Sequence, residues 1–191
     1  KMIIFEDKII LLLPKNGTHS IMMEHGVNPW DGPGSYTRLN KNDALIFLDG
    51  DSPHLPANRI PKRFEHLPNY ALVRNPWFRT ITRYFWTERR NWFKEKMSID
   101  EYVEQKYFPE KLKGDYIYEQ WAGTSWRPQV DWFNEKTIVS KFENYNFKFH
   151  FNKSKNKYDI KISKKTANLI GDYYLPDIKK FNYNVPEGII Q

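Results

Sequence analysis

Ile9-Ile10-Leu11-Leu12-Leu13-Pro14-Lys15-Asn16-Gly17-Thr18-His19-Ser20-Ile21-Met22 is the stretch on which the fold turns. The apolar run from Ile9 to Leu13 stops abruptly at Pro14-Lys15, a turn of small and polar residues follows, and apolar spacing then becomes helical through Ile21, Met22 and His25. This predicts a buried strand, a tight loop and a helix N-terminus, with a lysine at the bend. Such a junction aims backbone N–H groups, the positive end of a helix dipole and one ammonium at a single point. It is suited to an anion, a phosphate or a sulfate.

The same alternation continues outward. Met2–Phe5 and Lys8–Leu13 read as two strands parted by Glu6-Asp7, and Thr18 to about His25 as a helix. Asn28–Gly34 is a Pro/Gly-rich loop. Ala44–Leu48 is a short buried strand that leaves into Asp49-Gly50-Asp51-Ser52-Pro53-His54, and Pro53, Pro56 and Pro61 forbid a regular helix there. Tyr70–Val73 is another apolar run of strand length. It feeds Arg74-Asn75-Pro76 and a helix from about Pro76 to Lys94, with proline at a tolerated first-turn position. Ser98 and Glu101 have capping-box spacing ahead of a helix near Ile99–Tyr107. Thr137–Ser140 is a later strand, and Lys164–Tyr174 and Asp177–Tyr183 are helical segments broken by Pro176. Short apolar strands alternating with helices predict an α/β fold, a three-layer sandwich around a mostly parallel sheet covered on both faces. No repeat, low-complexity segment or linker divides the chain, so residues 1–191 read as one domain.

Composition narrows the class. At 191 residues, with 40% hydrophobic and 17% aromatic content, the chain can build a real core and is not a disordered segment. Without cysteine it has neither disulfides nor thiolate ligands, which suits a reducing compartment. No apolar run is long enough to span a bilayer and no secretory signal pattern opens the sequence, so a cytoplasmic protein without membrane attachment is expected. A net charge of +7 favours polyanionic ligands such as nucleotides, nucleic acid or acidic sugars, and does not choose among them.

Motif chemistry narrows it further. Pro14–Ser20 is not a Walker A loop: the spacer between glycines is missing and Lys15 precedes the glycine. Arg74 again falls where a strand ends and a helix begins, the edge at which open α/β sheets bind ligands. Thr82 lies two helical turns on, so a guanidinium and a hydroxyl together suit a phosphate.

Here the sequence resembles a family. Pro14-Lys15-Asn16-Gly17-Thr18-His19-Ser20 resembles the 5′-phosphosulfate loop of sulfotransferases, usually Pro-Lys-x-Gly-Thr-Thr/Ser, and Arg74-Asn75-Pro76 through Thr82 and Tyr84 resembles their 3′-phosphate motif. Trp126-Arg127-Pro128-Gln129 ahead of Ile138–Asn144, and Tyr173–Tyr183 near the end, are similar to segments of the carbohydrate-type enzymes. The matches run in order along nearly the whole chain; His19 stands for the usual Thr or Ser, and Thr82 for the usual Ser. The resemblance implies a nucleotide-kinase-like sulfotransferase fold with 3′-phosphoadenosine 5′-phosphosulfate (PAPS) as donor and 3′-phosphoadenosine 5′-phosphate (PAP) as product. It further implies a carbohydrate or other small hydroxyl acceptor and no metal. Lys15, with N–H groups from Asn16, Gly17, Thr18, His19 and Ser20, is then expected to stabilise the leaving phosphate, and Arg74 and Thr82 to bind the 3′-phosphate.

The acceptor hydroxyl needs a base, and an imidazole titrates in the right range. His54 follows the Ala44–Leu48 strand towards the same sheet edge as Lys15, and its position resembles that of the base in the heparan-type enzymes. His66 and then His19 are alternatives, as are the carboxylates Asp49, Asp51 and Glu65; His25 and His150 read as structural. Trp126 and Arg127, with His66, are acceptor-side candidates. Lys153, Lys155 and Lys157 form a basic run, and Trp86, Arg89, Arg90 and Trp92 a ring-and-cation surface. Two other classes compete: a kinase-like phosphotransferase, disfavoured by the glycine spacing, and a basic, aromatic nucleic-acid-binding domain. The second is disfavoured because the cations form no single stripe and no RNA-binding signature is present, so no nucleic-acid partner is expected.

Overall fold

The computed structural model describes residues 2–26, 45–47, 54–91, 93, 95–107, 126–148 and 160–191. The predicted loop 28–34, Asp49, Asp51, Trp92, His150 and the lysines at 153, 155 and 157 lie outside them. The chain forms two compact units, Lys1–Arg74 with Tyr118–Lys153 and Asn75–Ile117 with Ser154–Gln191.

The first unit is α/β. Its strands are β1 (Met2–Ile4), β2 (Ile9–Leu11), β3 (Leu45–Phe47), β4 (Asn69–Val73) and β5 (Thr137–Lys141), in the order β3-β1-β2-β4-β5. The sheet is mixed, which corrects the expectation of a mostly parallel one: β1 is antiparallel to both β2 and β3, whereas β2–β4 and β4–β5 are parallel. The reason is local. Glu6-Asp7 is far too short for a parallel crossover, so β1 and β2 close as a hairpin, with the Phe5 N–H donating to the Lys8 carbonyl at 2.8 Å. Because β1 alone opposes the rest, β2, β3, β4 and β5 still end at one edge. Leu11 is level with Ala71, Phe47 with Met2, and Lys141 with Val73.

Alternation sorts the strand side chains onto two faces. Ile3, Ile10, Leu12 and Leu72 pack with Ile21 and Met22 of helix α1 (Thr18–Glu24) and with Phe142 and Phe147. On the other face Met2, Ile4, Ile9, Leu11 and Ala71 pack with Leu55, Ala57, Ile60, Leu67 and Trp132. Within this unit that face is covered by the 3₁₀ turns Ala57–Arg59 and Lys62–Phe64 instead of a helix, as the prolines at 56 and 61 require. Tyr70 and its register partner Ile138 remain exposed.

The second unit is helical. In α2 (Pro76–Arg89) the Asn75 side chain accepts from the Trp77 N–H at 3.1 Å, and Pro76 occupies the first turn where no N–H is needed. The helix stops at Arg89, short of the predicted Lys94, and Asn91 takes the left-handed conformation just beyond. Next, α3 (Ile99–Glu101) opens on the predicted Ser98–Glu101 capping box and widens into a π-helical turn over Tyr102–Tyr107. Ser163 caps α4 (Lys164–Tyr173) by accepting from the Thr166 N–H, and its own N–H donates to Asp100 at 3.0 Å. The expected pair of C-terminal helices is present, but the break falls at Tyr174: α5 (Leu175–Phe181) begins before Pro176, which sits in its first turn instead of ahead of it. Trp77 Nε1 donates to the Ala167 carbonyl at 2.9 Å, and Gly171 leaves room for the same indole, locking α2 to α4. No helix among the described residues is long and apolar enough to cross a membrane.

Candidate functional site

Beyond Leu11, β2 leaves the sheet and its carbonyls need new donors. Side chains provide them. His54 Nδ1 lies 2.6 Å from the Leu12 carbonyl, Thr18 Oγ1 donates to Leu13 O at 2.8 Å, and Arg74 Nη1 donates to Lys15 O at 3.1 Å. A carbonyl only accepts, so His54 carries its proton on Nδ1, and in the neutral ring Nε2 has the lone pair. Three residues read as parts of one site therefore meet on four consecutive residues of a single loop.

That loop is held in an uncommon shape. Lys15 has φ 64 and Gly17 φ 78, both left-handed, and for Lys15 this costs about 1–2 kcal/mol. Such strain persists where the surroundings over-determine it. Here the Arg74 bond fixes the Lys15 carbonyl, and Phe142 and Phe147 wall the turn. A β-carbon on Gly17 would lie 2.7 Å from Phe142 Cε2 and 3.1 Å from Phe147 Cζ. The Arg74 guanidinium stacks 4.5 Å above the Phe142 ring, and Arg74 is only 5% exposed. Phe147 is in turn set by Glu24, whose carboxylate accepts from the Tyr145 hydroxyl at 3.0 Å and the Lys148 N–H at 2.6 Å. Burial, then the hydrogen bond and charge of Glu24, raise the Tyr145 phenol above its ordinary range.

Beneath the loop lies a buried amide pair that sequence reasoning missed. Asn16 Nδ2 donates to Leu72 O at 2.6 Å and to Gln129 Oε1 at 2.7 Å; Gln129 Oε1 also accepts from the Arg74 N–H at 2.8 Å, and Gln129 Nε2 donates to Arg74 O at 2.8 Å. Gln129 and Asn16 are 0% and 1% exposed. Asn16 Oδ1 has no hydrogen-bond partner among the described residues. The only sequence signal was the placement of Gln129 in the quoted Trp126–Gln129 segment. A glutamine after proline does not announce burial.

The remaining candidates are more scattered. Trp132 stands edge-on to the His54 ring at 6.4 Å between centroids. His19 is half-buried, Ser20 buried, and His66 and Glu65 exposed; Trp126 is half-buried and Arg127 exposed. His25 packs against Phe5 at the end of α1, and burial, then Lys8, lower its pKa against an opposing pull from Glu24. Thr82 belongs to the helical unit, where its hydroxyl donates to the Phe78 carbonyl at 2.7 Å within α2. Arg83 in the same helix and Arg90 at its C-cap lie 4.5 and 5.1 Å from the Trp86 ring. Among the described residues no three His, Asp or Glu side chains gather as a metal site would need.

One strand-end edge of the α/β unit thus brings together the Lys15 turn, the Arg74 guanidinium and the His54 imidazole. Comparison with protein-family models, curated proteins and solved structures found no match for this chain.

Proposed function

We propose that the chain is a sulfotransferase that moves the sulfuryl group of PAPS to a hydroxyl of a carbohydrate or other small acceptor. The observation that carries this reading is the contact of Arg74 Nη1 with the Lys15 carbonyl, because it joins the two cationic motifs of the resemblance at one sheet edge. His54 on Leu12, three residues before Lys15, adds a base to the same edge. The donor set fits a doubly phosphorylated nucleotide: the Lys15 ammonium, the buried Arg74 guanidinium and the N–H groups of a left-handed turn. When bound, PAPS supplies an activated sulfuryl group whose transfer is expected to be in line and loose, so positioning and charge stabilisation dominate.

The chain's own residues divide the work. Lys15 neutralises charge on the departing phosphate, and Asn16 to Ser20 offer backbone N–H groups beside it. Arg74 holds the Lys15 turn and contributes positive charge towards the 3′-phosphate. His54, with Nδ1–H tied to Leu12, takes the acceptor proton at Nε2. Calorimetry with PAP, ATP and an oligonucleotide tests the reading. Selective binding of PAP is expected; tight ATP binding indifferent to a 3′-phosphate would replace it with the kinase-like alternative, and preference for the oligonucleotide with a nucleic-acid-binding domain.

A further inference from the structure

We infer that Gln129 is a positioning residue, which sets the geometry of the Lys15 turn and of Arg74 by replacing the missing strand at the end of β4. The inference deepens the anion-site reading and rests on it for its ligand. Pairing of β2 with β4 ends at Leu11–Ala71. Beyond that point the inner strand must still satisfy its polar groups. Leu72 and Arg74, two apart, turn their backbone groups to the same side of the strand. There Asn16 takes the Leu72 carbonyl, and Gln129 takes both the N–H and the C=O of Arg74. The Gln129 carboxamide thus acts as one residue of an added strand.

Its third bond makes it more than a filler. Gln129 Oε1 accepts from Asn16 as well, so one buried amide fixes the backbone of Arg74 and the residue between Lys15 and Gly17 together. Arg74 then returns to Lys15 through Nη1, closing a ring of contacts: Gln129, Asn16, Lys15 and Arg74. No other residue type fits this pattern as well. The site needs two acceptances at one atom and one donation from its neighbour, at a position with 0% exposure.

Gln129→Glu tests this directly. Its ionised carboxylate keeps the two acceptances but turns an oxygen towards the Arg74 carbonyl, whereas the protonated acid restores the donor. Burial and that carbonyl favour the acid form, against the Asn16 and Arg74 N–H donors and the Arg74 charge, and the defect should be relieved as pH falls from about 8 to about 5. At the upper pH the variant should show shifted backbone amide resonances over Lys15–Thr18 and at Arg74, and PAP affinity about tenfold or more below wild type measured at the same pH. At the lower pH both should return towards wild type, an acid rescue that Gln129→Met must lack. A merely structural role lowers stability without this pH-dependent return. Wild-type resonances in Gln129→Glu at the upper pH overturn the inference, as does unchanged affinity when the wild type binds PAP. If the wild type does not bind PAP the sulfotransferase reading falls, and the ligand-free resonances alone decide Gln129. Where Gln129→Met does not fold, the acid rescue of Gln129→Glu decides.

Discussion

Gly17 meets two separate demands: a left-handed φ of 78 and a wall of two phenylalanine rings where its side chain would be. Gly17→Ala should therefore destabilise the protein by on the order of 2 kcal/mol, from the conformational penalty and the overpacking combined, as read by chemical denaturation. The glycine was legible in the sequence as the pivot of a strand-to-helix turn. Its walls were not, because Phe142 and Phe147 are far away in the chain and nothing in their own neighbourhood points to Gly17. His54 poses the opposite case. Its sequence position after the β3 strand was enough to bring it to the edge in question, and the Leu12 contact adds the protonation pattern. On the proposed sulfotransferase reading, His54→Ala should abolish sulfuryl transfer while leaving PAP affinity within about threefold of wild type, since a proton acceptor contributes to the chemical step and little to donor binding. Normal turnover in that variant would pass the role to another group.

Elements were read best where the signal is local. The Ser98–Glu101 box needs only four residues, and both of its bonds are formed: the Glu101 N–H donates to Ser98 Oγ at 3.2 Å, and the Ser98 N–H to Glu101 Oε2 at 2.8 Å. Ser98→Ala should cost about 1 kcal/mol at neutral pH. The backbone and then the side-chain hydrogen bond of Ser98 hold the Glu101 pKa below its ordinary 4.5, against a small opposing effect of burial. A depressed folded value means stabilisation that is present above 4.5 and lost as pH falls through the folded value. The gap between wild type and Ser98→Ala should accordingly narrow in acid, measurable by denaturation on both sides of that range. The helix ends were harder. Pro176 marks a break in sequence, yet a proline is also the best residue for a first turn, and only the packed chain distinguishes the two uses. Likewise the aromatic run past Arg89 has helical composition, but the left-handed Asn91 ends the helix first.

At the scale of the whole molecule, a charge of +7 draws many anions to the surface, so affinity alone says little and selectivity is the informative measurement. Calorimetry should show PAP bound at least about tenfold more tightly than ATP, and Arg74→Ala should remove most of that difference, because the guanidinium supplies both the charge and the bond that shapes the Lys15 turn. By itself the sequence determined what is encoded over short spans: an α/β composition of apolar strands, the strand–loop–helix junction at Lys15, the arginine at the end of β4, the proline that opens α2 and the Ser98–Glu101 capping box. Hydrophobic period, proline and glycine act within a few residues, so these features need no distant partner. Tertiary structure alone decided the pairing of β1 with β3 in a mixed sheet, the division into two compact units, and the buried Asn16–Gln129 pair that ties the loop to Arg74. Each of those depends on contacts across large sequence separations, where a buried polar group is placed by whatever backbone a neighbouring strand leaves unpaired.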